Sequence, residues 1–341
     1  MPRYRFGVLD QSPIAEGRSP AQAVAETVEL AIRAEALGYT RYWLAEHHSS
    51  VSFAGPCPEI LMAHVAARTR SIRVGSGGVM MLHYSALKIA EQFRMLETLY
   101  PGRIDLGVGR APGADTLGTE ALCPNAGPPD VEQRLFEAKL RDLSGFLRGE
   151  LRPEHPHARL FAMPGGDGQP EPWLLGSGTG SAALAAKLGW SFCFAHFIGG
   201  ASGVAVVDAY RQAFKPSPWQ PRPRVAVGAF VLAADDDAEA QRLVSSTELW
   251  FLNLQLGRRV PFPTPAQALA HEWSPAAAAM RRQLRALRLH GGPATVARGL
   301  ERLAMLYETD EFLVVTITHD HQARLRSYEL LAEIAELDRT P

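Results

Sequence analysis

The sequence lacks the features of a membrane, secreted or nucleic-acid-binding chain. Its 341 residues carry a formal net charge of −1, so no strong field attracts a nucleic-acid backbone or an anionic membrane. No stretch is long and apolar enough to span a bilayer, and charged residues interrupt the short apolar run at the start, unlike the core of a signal peptide. We therefore expect a soluble cytoplasmic protein that acts on a small molecule, with no nucleic-acid or membrane partner.

Cysteine is scarce as well. The three cysteines, Cys57, Cys123 and Cys193, lie far apart in the sequence. An odd number at wide spacing is typical neither of a disulfide framework nor of a metal site. The pattern fits a reducing compartment such as the cytoplasm.

Short apolar runs alternate with longer helical patterns along the whole chain. Hydrophobic residues make up 46% of the sequence, and the alternation indicates βαβ units and a parallel sheet. Eight such units predict an α/β fold, a (β/α)8 TIM barrel formed by a single domain over residues 1–341. The predicted strands are 4–9, 41–45, 73–82, 103–108, 173–176, 191–195, 224–233 and 312–317. Between the seventh and the eighth lies a mostly helical insertion at 236–306, which prolines interrupt at 261–265.

Polar residues gather directly after the predicted strands, where a TIM barrel places its active site. They are Asp10, Glu46, His47, His48, His83, Tyr84, Arg110, His196, His319, Asp320 and His321. Burying many titratable groups at one face is unfavourable unless the groups are paired or used. The distribution therefore predicts a functional site at this face.

Glu46, His47 and His48 form the most informative of these motifs. One imidazole can transfer protons in the site while a neighbouring group fixes its tautomer. The structural alternative is a hydrogen-bonded histidine pair at a strand end. A further alternative is a metal-dependent hydrolase, in which His47 and His48 bind a metal together with His319 and His321.

A glycine-rich loop at 176–181 joins the fifth predicted strand to a helix. Free backbone N–H groups and hydroxyls at such a junction can hold a phosphate. The sequence has neither the phosphate-binding loop of nucleoside triphosphatases nor a dinucleotide fingerprint, so a mononucleotide phosphate is the better hypothesis. The structural alternative is a tight turn in which Gly180 or Ser181 caps a helix that begins at Ala182.

Two further features bear on a ligand. Arg110, after the fourth strand, carries a planar cation that suits a phosphate, although a surface ion pair with Asp115 or Glu120 is the alternative. Glycines at 75–78 lie within the third predicted strand, where they favour a close approach of a flat ligand or simply a bulge.

Five segments together resemble the bacterial luciferase-like flavin monooxygenase family. They are 43–48, 75–82, 102–110, 175–181 and 320–331, and the resemblance extends over residues 4–337. The segments at 102–110 and 320–331 resemble the subgroup that contains the mensacarcin-pathway enzyme. Membership implies an FMN-dependent oxidoreductase, a monooxygenase that uses O2 and reduced FMN from a separate NAD(P)H:flavin reductase. The alternative in the same fold is hydride transfer with the deazaflavin coenzyme F420.

The resemblance also implies roles for individual residues. The residues predicted to be catalytic are His47, as acid or base, together with Glu46 and His48, and the peptide between Gly77 and Gly78 would be cis. No metal ligands are implied. The implied cofactor contacts are Gly77, Gly78, Val79, Arg110, Gly176, Ser177, Gly178, Ser181 and His196.

The family resemblance implies a homodimer, with a helix at 58–67 as one candidate surface. The loops at 111–130 and 199–203 and the insertion are expected to select the substrate. A non-catalytic flavin-binding subunit is a further alternative, against which the intact motif at 46–48 counts.

Two positions depart from the luciferases of the family. Gly109 stands where they carry a reactive cysteine, and Gly176 stands where they carry a glutamate in the phosphate loop. Light emission is therefore not expected.

Overall fold

A computed structural model describes residues 3–124 and 127–338, and parallel strands dominate it. The strands of this part of the chain are β1 Arg5–Asp10, β2 Arg41–Leu44, β3 Arg73–Ser76, β4 Val79–Met80, β5 Ile104–Gly109, β6 Glu171–Gly176, β7 Ser191–Ala195, β8 Val225–Ala233, β9 Arg288–Gly291 and β10 Glu311–Val315. Strand β10 pairs with β1 on one side and with β8 on the other, which closes the sheet. The predicted (β/α)8 barrel is confirmed. The proposed domain limits of 1–341 stay a prediction, because residues 1, 2 and 339–341 lie outside the described residues.

Helices surround the barrel. Their bounds are α1 Pro20–Ala36, α2 Pro58–Arg68, α3 Ala86–Leu99, α4 Thr116–Leu122, α5 Pro129–Arg148, α6 Thr179–Leu188, α7 His196–Gly199, α8 Gly203–Ala213, α9 Asp237–Gln255, α10 Pro265–Ala270, α11 Pro275–Ala286, α12 Pro293–Tyr307 and α13 His321–Ile334, with short 3-10 helices at Met81–His83 and Gly200–Ser202. Over the described ranges, no helix combines the length and the apolar character needed to cross a membrane.

Alternation along the strands separates an outer core from an inner one. On β8, Val227 and Ala229 pack outward against the helices, whereas Ala226 and Phe230 belong to a cluster inside the barrel with Trp43. Successive side chains of a strand point to opposite faces. Each strand therefore contributes both to the helix-covered layer and to the barrel interior.

The third predicted strand, 73–82, is wrong in its second half. Strand β3 ends at Ser76, the peptide Gly77–Gly78 is cis as the resemblance implies, and only Val79–Met80 resume pairing, as β4 with β5. A Cβ on Gly78 would lie 2.9 Å from Gly107 O, so the close approach of two strands requires glycine there. The chain then turns into the 3-10 helix and leaves the barrel.

The insertion is helical, as predicted, but it also contains a strand. Strand β9 pairs with the second half of β8, with Phe230 opposite Arg288. The predicted loop 111–130 likewise contains α4, whose N-cap Asp115 accepts a hydrogen bond from Gly118 N at 2.8 Å. Residues 125 and 126 of that loop lie outside the described residues.

The N-terminal end of the barrel is filled by a charge cluster. Its members stand at or beside the first residues of their strands, and they are Arg41, Arg73, Arg224, Asp105, Glu171 and Glu311. Arg41 is 2% exposed and lies 2.6 Å from an oxygen of Asp105 and 3.1 Å from an oxygen of Glu311. The guanidinium also lies over the ring of Trp173, at 4.8 Å. Three cations and three carboxylates thus balance one another inside the barrel.

Replacing Arg41 with methionine should destabilise the protein by about 3 kcal/mol or more, because it leaves buried carboxylates short of a cation. Urea denaturation monitored by circular dichroism measures this loss. The matched control is Arg242→Met, since Arg242 pairs with Glu239 at the surface and its loss should cost about 0.5 kcal/mol or less. Equal losses in the two variants would contradict a structural role for the cluster.

Candidate active site

The motif at 46–48 and the glycines at 77–78 follow the carboxyl ends of β2 and β3, at the barrel mouth. Leu44 lies opposite Ser76 in the β2–β3 pairing, and Gly77 N donates to Leu44 O at 2.8 Å. The residues that follow each strand therefore leave the barrel side by side. This register brings the motif at 46–48 next to the cis Gly77–Gly78 peptide.

Glu46 joins three parts of this region. Its side chain is 1% exposed, and Oε1 accepts hydrogen bonds from Tyr84 Oη and His48 Nε2, both at 2.7 Å. Its Oε2 accepts from Met80 N at 2.9 Å. The carboxylate thus fixes the tautomer of His48, whereas the sequence analysis left open which imidazole it orients.

His47 is arranged differently from His48. Its ring stacks on Phe53 at 4.3 Å, and its backbone N donates to Gly55 O at 3.0 Å. Nδ1 is buried and has no hydrogen-bond partner among the described residues. Burial, and secondarily the neighbouring His48, lower the pKa of His47 from 6.5 to about 4. At neutral pH it therefore offers an uncharged imidazole with one N–H and one lone pair.

An aromatic wall continues from His47 around the mouth. Phe53 contacts Trp250 of α9 at 5.5 Å, and Trp250 stacks on Phe262 at 4.7 Å. Trp250 Nε1 donates to Ser52 Oγ at 2.9 Å, which ties the insertion to the loop after β2. Sequence reasoning missed these rings, because they lie in loops and in the insertion and belong to no motif.

Lys139 of α5 holds the turn that carries His83 and Tyr84. Its Nζ donates to the carbonyl oxygens of Met81, Leu82 and Tyr84 at 3.3, 2.7 and 2.7 Å. Burial lowers the pKa of Lys139. Nothing in the sequence marked this lysine, since it lies within an ordinary amphipathic helix.

The loop after β6 leads directly into α6. The helix begins at Thr179 with Gly178 as its N-cap, and no side chain caps it. The predicted alternative, a cap at Gly180 or Ser181, is therefore wrong. Ser181 lies in the first turn, where backbone N–H groups have no partner within the helix. The loop 176–181 thus presents donors at a helix N-terminus, as a phosphate requires.

Arg110 follows β5, the strand next to β6. Its exposed guanidinium donates to Gln133 of α5. Asp115, one of its predicted surface partners, pairs with Arg259 instead. Because Val108 lies opposite Leu174, Arg110 stands at the level of Gly176 and beside the loop.

His196 is engaged outside this group. Its side chain is 8% exposed, and Nδ1 lies 2.8 Å from Tyr307 Oη of α12, which itself donates to Gly200 O. Burial lowers the pKa of His196, and Arg302 adds to the effect. Its predicted contact with a cofactor stays a prediction.

Asp10, predicted to face the mouth, is buried in an ion pair. It accepts from Arg324 at 2.6 Å and from Ser12 N at 2.7 Å, and the Tyr42 hydroxyl also donates to it. The contact with Arg324 ties the end of β1 to α13, and the contact with Tyr42 ties it to β2. Asp10 is therefore structural.

The predicted metal ligands do not converge. His319 Nε2 donates to Glu16 O at 3.1 Å, and His321 Nε2 lies 3.2 Å from Glu29 of α1. Asp320 caps α13 by accepting from Ala323 N at 3.0 Å. In residues 3–124 and 127–338, no three His, Cys, Asp or Glu side chains form a group that could hold a metal ion.

Replacing Lys139 with methionine should loosen the turn at 81–84, because three carbonyls lose a charged donor at a cost of about 1–3 kcal/mol. Hydrogen exchange of the turn amides should accelerate, as measured by mass spectrometry. Lys88→Met, on the exposed face of α3, serves as the control and should leave the exchange unchanged. Unaltered exchange in Lys139→Met would refute the positioning role.

Similarity to known proteins agrees with this geometry. A "luciferase-like monooxygenase" from Escherichia coli (strain K12) is 38% identical over 331 residues, 97% of each chain. An "N-acetyl-S-alkylcysteine monooxygenase" from Bacillus subtilis (strain 168) is 39% identical over 330 residues, 96% of this chain and 97% of that protein. The crystal structure of apo-MsnO8 has a TM-score of 0.88 and 36% identity, and it covers 99% of this chain and 100% of that one.

More distant structures share the fold. The oxygenating constituent of 3,6-diketocamphane monooxygenase in complex with FMN has a TM-score of 0.73 at 20% identity, and a coenzyme F420-dependent secondary alcohol dehydrogenase has a TM-score of 0.74 at 14% identity. The family model described as "luciferase-like monooxygenase" matches residues 4–309. The chain belongs to the luciferase-like monooxygenase family.

Proposed function

We propose that the protein is an FMN-dependent monooxygenase that uses O2 and reduced FMN to oxidise a small organic molecule. The observation that carries the proposal is the uncharged His47 imidazole, which lies at the mouth beside the cis Gly77–Gly78 peptide. Its buried Nδ1 has no hydrogen-bond partner in the part of the chain that the structure describes. The neutral His47 imidazole can therefore donate a proton from one ring nitrogen or accept a proton at the other.

The residues present fit an FMN phosphate. Gly178 and Gly180 are exposed, and Cβ atoms added there would meet nothing within 4 Å, so the loop beside the uncapped α6 N-terminus is open. Ser177 and Ser181 belong to this loop, and Arg110 follows the neighbouring strand at the level of Gly176, so all three would be available to a phosphate there. A phosphate there would receive backbone and hydroxyl hydrogen bonds together with a positive charge.

The ring of the cofactor would lie against the backbone at Gly77, Gly78 and Val79, because the two glycines present no side chain and the Val79 side chain is buried in the outer core. Gly109, on the neighbouring strand, also faces open space, with nothing within 4 Å of an added Cβ. When bound, reduced FMN supplies the electrons that activate O2. His47 would hold or release a proton beside it, and the wall of Phe53 and Trp250 would exclude water.

Glu46 and His48 position rather than react in this scheme. Glu46 has both oxygens engaged by Tyr84, His48 and the Met80 amide. The Glu46 carboxylate thereby holds the segment at 80–84 and His48 in fixed positions relative to each other. Loss of the Glu46 charge should therefore act by displacing Tyr84, His48 and the Met80 amide, and not by removing a reacting group.

A separate NAD(P)H:flavin reductase would supply the reduced flavin, since the sequence contains no dinucleotide fingerprint.

A homodimer is also part of the proposal. Ile60 of α2 and Met95 and Leu99 of α3 are 72%, 50% and 56% exposed, and they would be covered by a second copy. The name of the Bacillus subtilis relative makes an N-acetyl-S-alkylcysteine one candidate for the small organic substrate.

The first experiment is a visible absorption titration of the purified protein with FMN and, under argon, with reduced FMN followed by an air pulse. Binding of reduced FMN and a transient spectrum unlike that of free flavin are expected. A protein that binds neither form but binds the deazaflavin F420 would overturn the proposal in favour of hydride transfer. A stoichiometric metal in the purified protein would favour the hydrolase.

Replacing His47 with glutamine should leave FMN binding intact but lower oxygenation by about 10²-fold or more, as expected for loss of a general acid or base. Turnover with the natural substrate, or decay of the transient spectrum, measures the effect. His157→Gln, at an exposed histidine, is the control and should retain full activity. Full activity in His47→Gln would assign the proton transfer to another group.

The low pKa of His47 also predicts how stability depends on pH. The folded protein holds this group near 4 against 6.5 when it is free, so the unfolded chain binds more protons between these values. Stability should therefore fall as the pH falls through this window. Urea denaturation at pH 7 and pH 4.5 should show a smaller fall for His47→Gln than for the wild type, and equal falls would contradict the assignment.

A further inference from the structure

Strand β9 adds a wall to the barrel mouth that the barrel itself does not supply. Residues Val225–Gly228 of β8 pair with β7, which ends at Ala195, and residues Phe230–Ala233 pair with β9. Strand β9 therefore continues the sheet above the end of β7. Its first residue, Arg288, stands opposite Phe230 at the level of Val315, the last residue of β10.

The Arg288 side chain points towards the inside of the mouth. Phe230 packs with the inner cluster, and side chains opposite each other on parallel strands share a face. The Arg288 guanidinium lies over the Phe230 ring at 4.7 Å, and Phe230 contacts Phe197 at 5.2 Å. The Arg288 cation thus packs on an aromatic surface at the β8–β9 edge of the mouth.

Arg288 has no carboxylate partner among the described residues. Its Nη1 donates to the Thr247 hydroxyl at 3.0 Å. Glu248, the neighbouring acid, is fully buried and already bound by Arg281 and Arg285, each at 2.5 Å. Burial lowers the pKa of Arg288 to about 10, an effect that Glu248 only partly opposes. An anion beside Arg288 would supply the negative charge that this buried guanidinium lacks.

There is room for polar atoms beside the guanidinium. Two cavities of about 20 Å³ and about 30 Å³ are both lined by Phe230 and Arg288. A cavity of about 10–15 Å³ holds a water molecule, so each of the two is large enough for about one water molecule beside the guanidinium. The planar fork of arginine matches the two oxygens of a carboxylate.

Arg288 stands apart from the residue at which the phosphate loop begins. Strand β9 lies above the end of β7, one strand from β6, so the separation runs along the strands. Gly176, where the phosphate loop begins, is level with Val227 through Phe194, whereas Arg288 stands opposite Phe230, three residues further on, or about 10 Å at the usual rise per residue. The aromatic surroundings favour an anion attached to an organic group over a free inorganic ion.

We propose that Arg288 binds a carboxylate of the organic substrate, so that the enzyme acts on small carboxylic acids. This inference rests on the proposed monooxygenase function, and it assigns the insertion a specificity role. The acid group would anchor at the β8–β9 edge of the mouth. The remainder of the substrate would extend across the mouth towards His47.

The experiment compares acids with their neutral amides by calorimetry, on the protein with and without FMN. The probes are N-acetyl-S-methylcysteine, phenylacetate and hexanoate, each paired with its carboxamide. At least one acid should bind about 10-fold more tightly than its amide, as expected for a charge-assisted bidentate contact. The absence of such a difference in all three pairs would overturn the proposal.

Arg288→Gln should abolish the preference for the acid while leaving FMN binding unchanged. Arg282→Gln, at an exposed arginine of α11, makes the same charge change and should retain the preference. Arg288→Lys keeps the charge without the planar fork and should give an intermediate preference for the acid. This variant provides the test if Arg288→Gln does not fold. A preference that survives in folded Arg288→Gln or is fully retained in Arg288→Lys would refute the proposal.

FMN binding separates the two hypotheses. Loss of FMN binding in Arg288→Gln alone would assign Arg288 to the cofactor phosphate and overturn this inference. A wild-type protein that binds no FMN but still prefers the acid through Arg288 would overturn the monooxygenase and leave the carboxylate site standing.

Discussion

Closure of the barrel depends on a balance of buried charge at its N-terminal end. Three arginines and three carboxylates lie at the starts of the strands, and Arg41 at their centre joins Asp105 of β5 to Glu311 of β10. These strands are not neighbours in the sheet, so the pairs act across the barrel interior. With that end filled by fixed charges and by Trp43 and Trp173, the opposite end is left for a ligand.

The fold was accessible from the sequence because each βα unit has its own local signal. The strand at Ser191–Ala195 was predicted to the residue, since its apolar run is bounded by clear turns. Strand β9 was not predicted, because Arg-Leu-His-Gly contains no apolar run and its pairing comes entirely from β8. The false extension of the third strand has a similar origin, since periodicity cannot register a cis peptide.

For the site, position after a strand identified Glu46, His47 and His48 but could not distinguish their roles. The structure distinguishes them: the Glu46 carboxylate binds His48, whereas His47 stacks on Phe53 and its Nδ1 has no partner within residues 3–124 and 127–338. Asp10 satisfied the same positional rule and is structural. Lys139 and Arg288 satisfied no rule, because their partners are backbone carbonyls and a ring that are distant in sequence.

The length of β8 divides the molecule into two parts with different tolerance to change. Its first residues close the barrel, while its last four carry an added strand that contributes nothing to closure. Residues 275–291, which contain α11 and β9, can therefore diverge or be exchanged between relatives, whereas Trp250 and Phe262 of the same insertion pack on Phe53 beside His47 and must be retained. A single scaffold of this kind can acquire new substrates by replacing one segment, which makes that segment the natural place to graft or randomise in an engineered oxygenase.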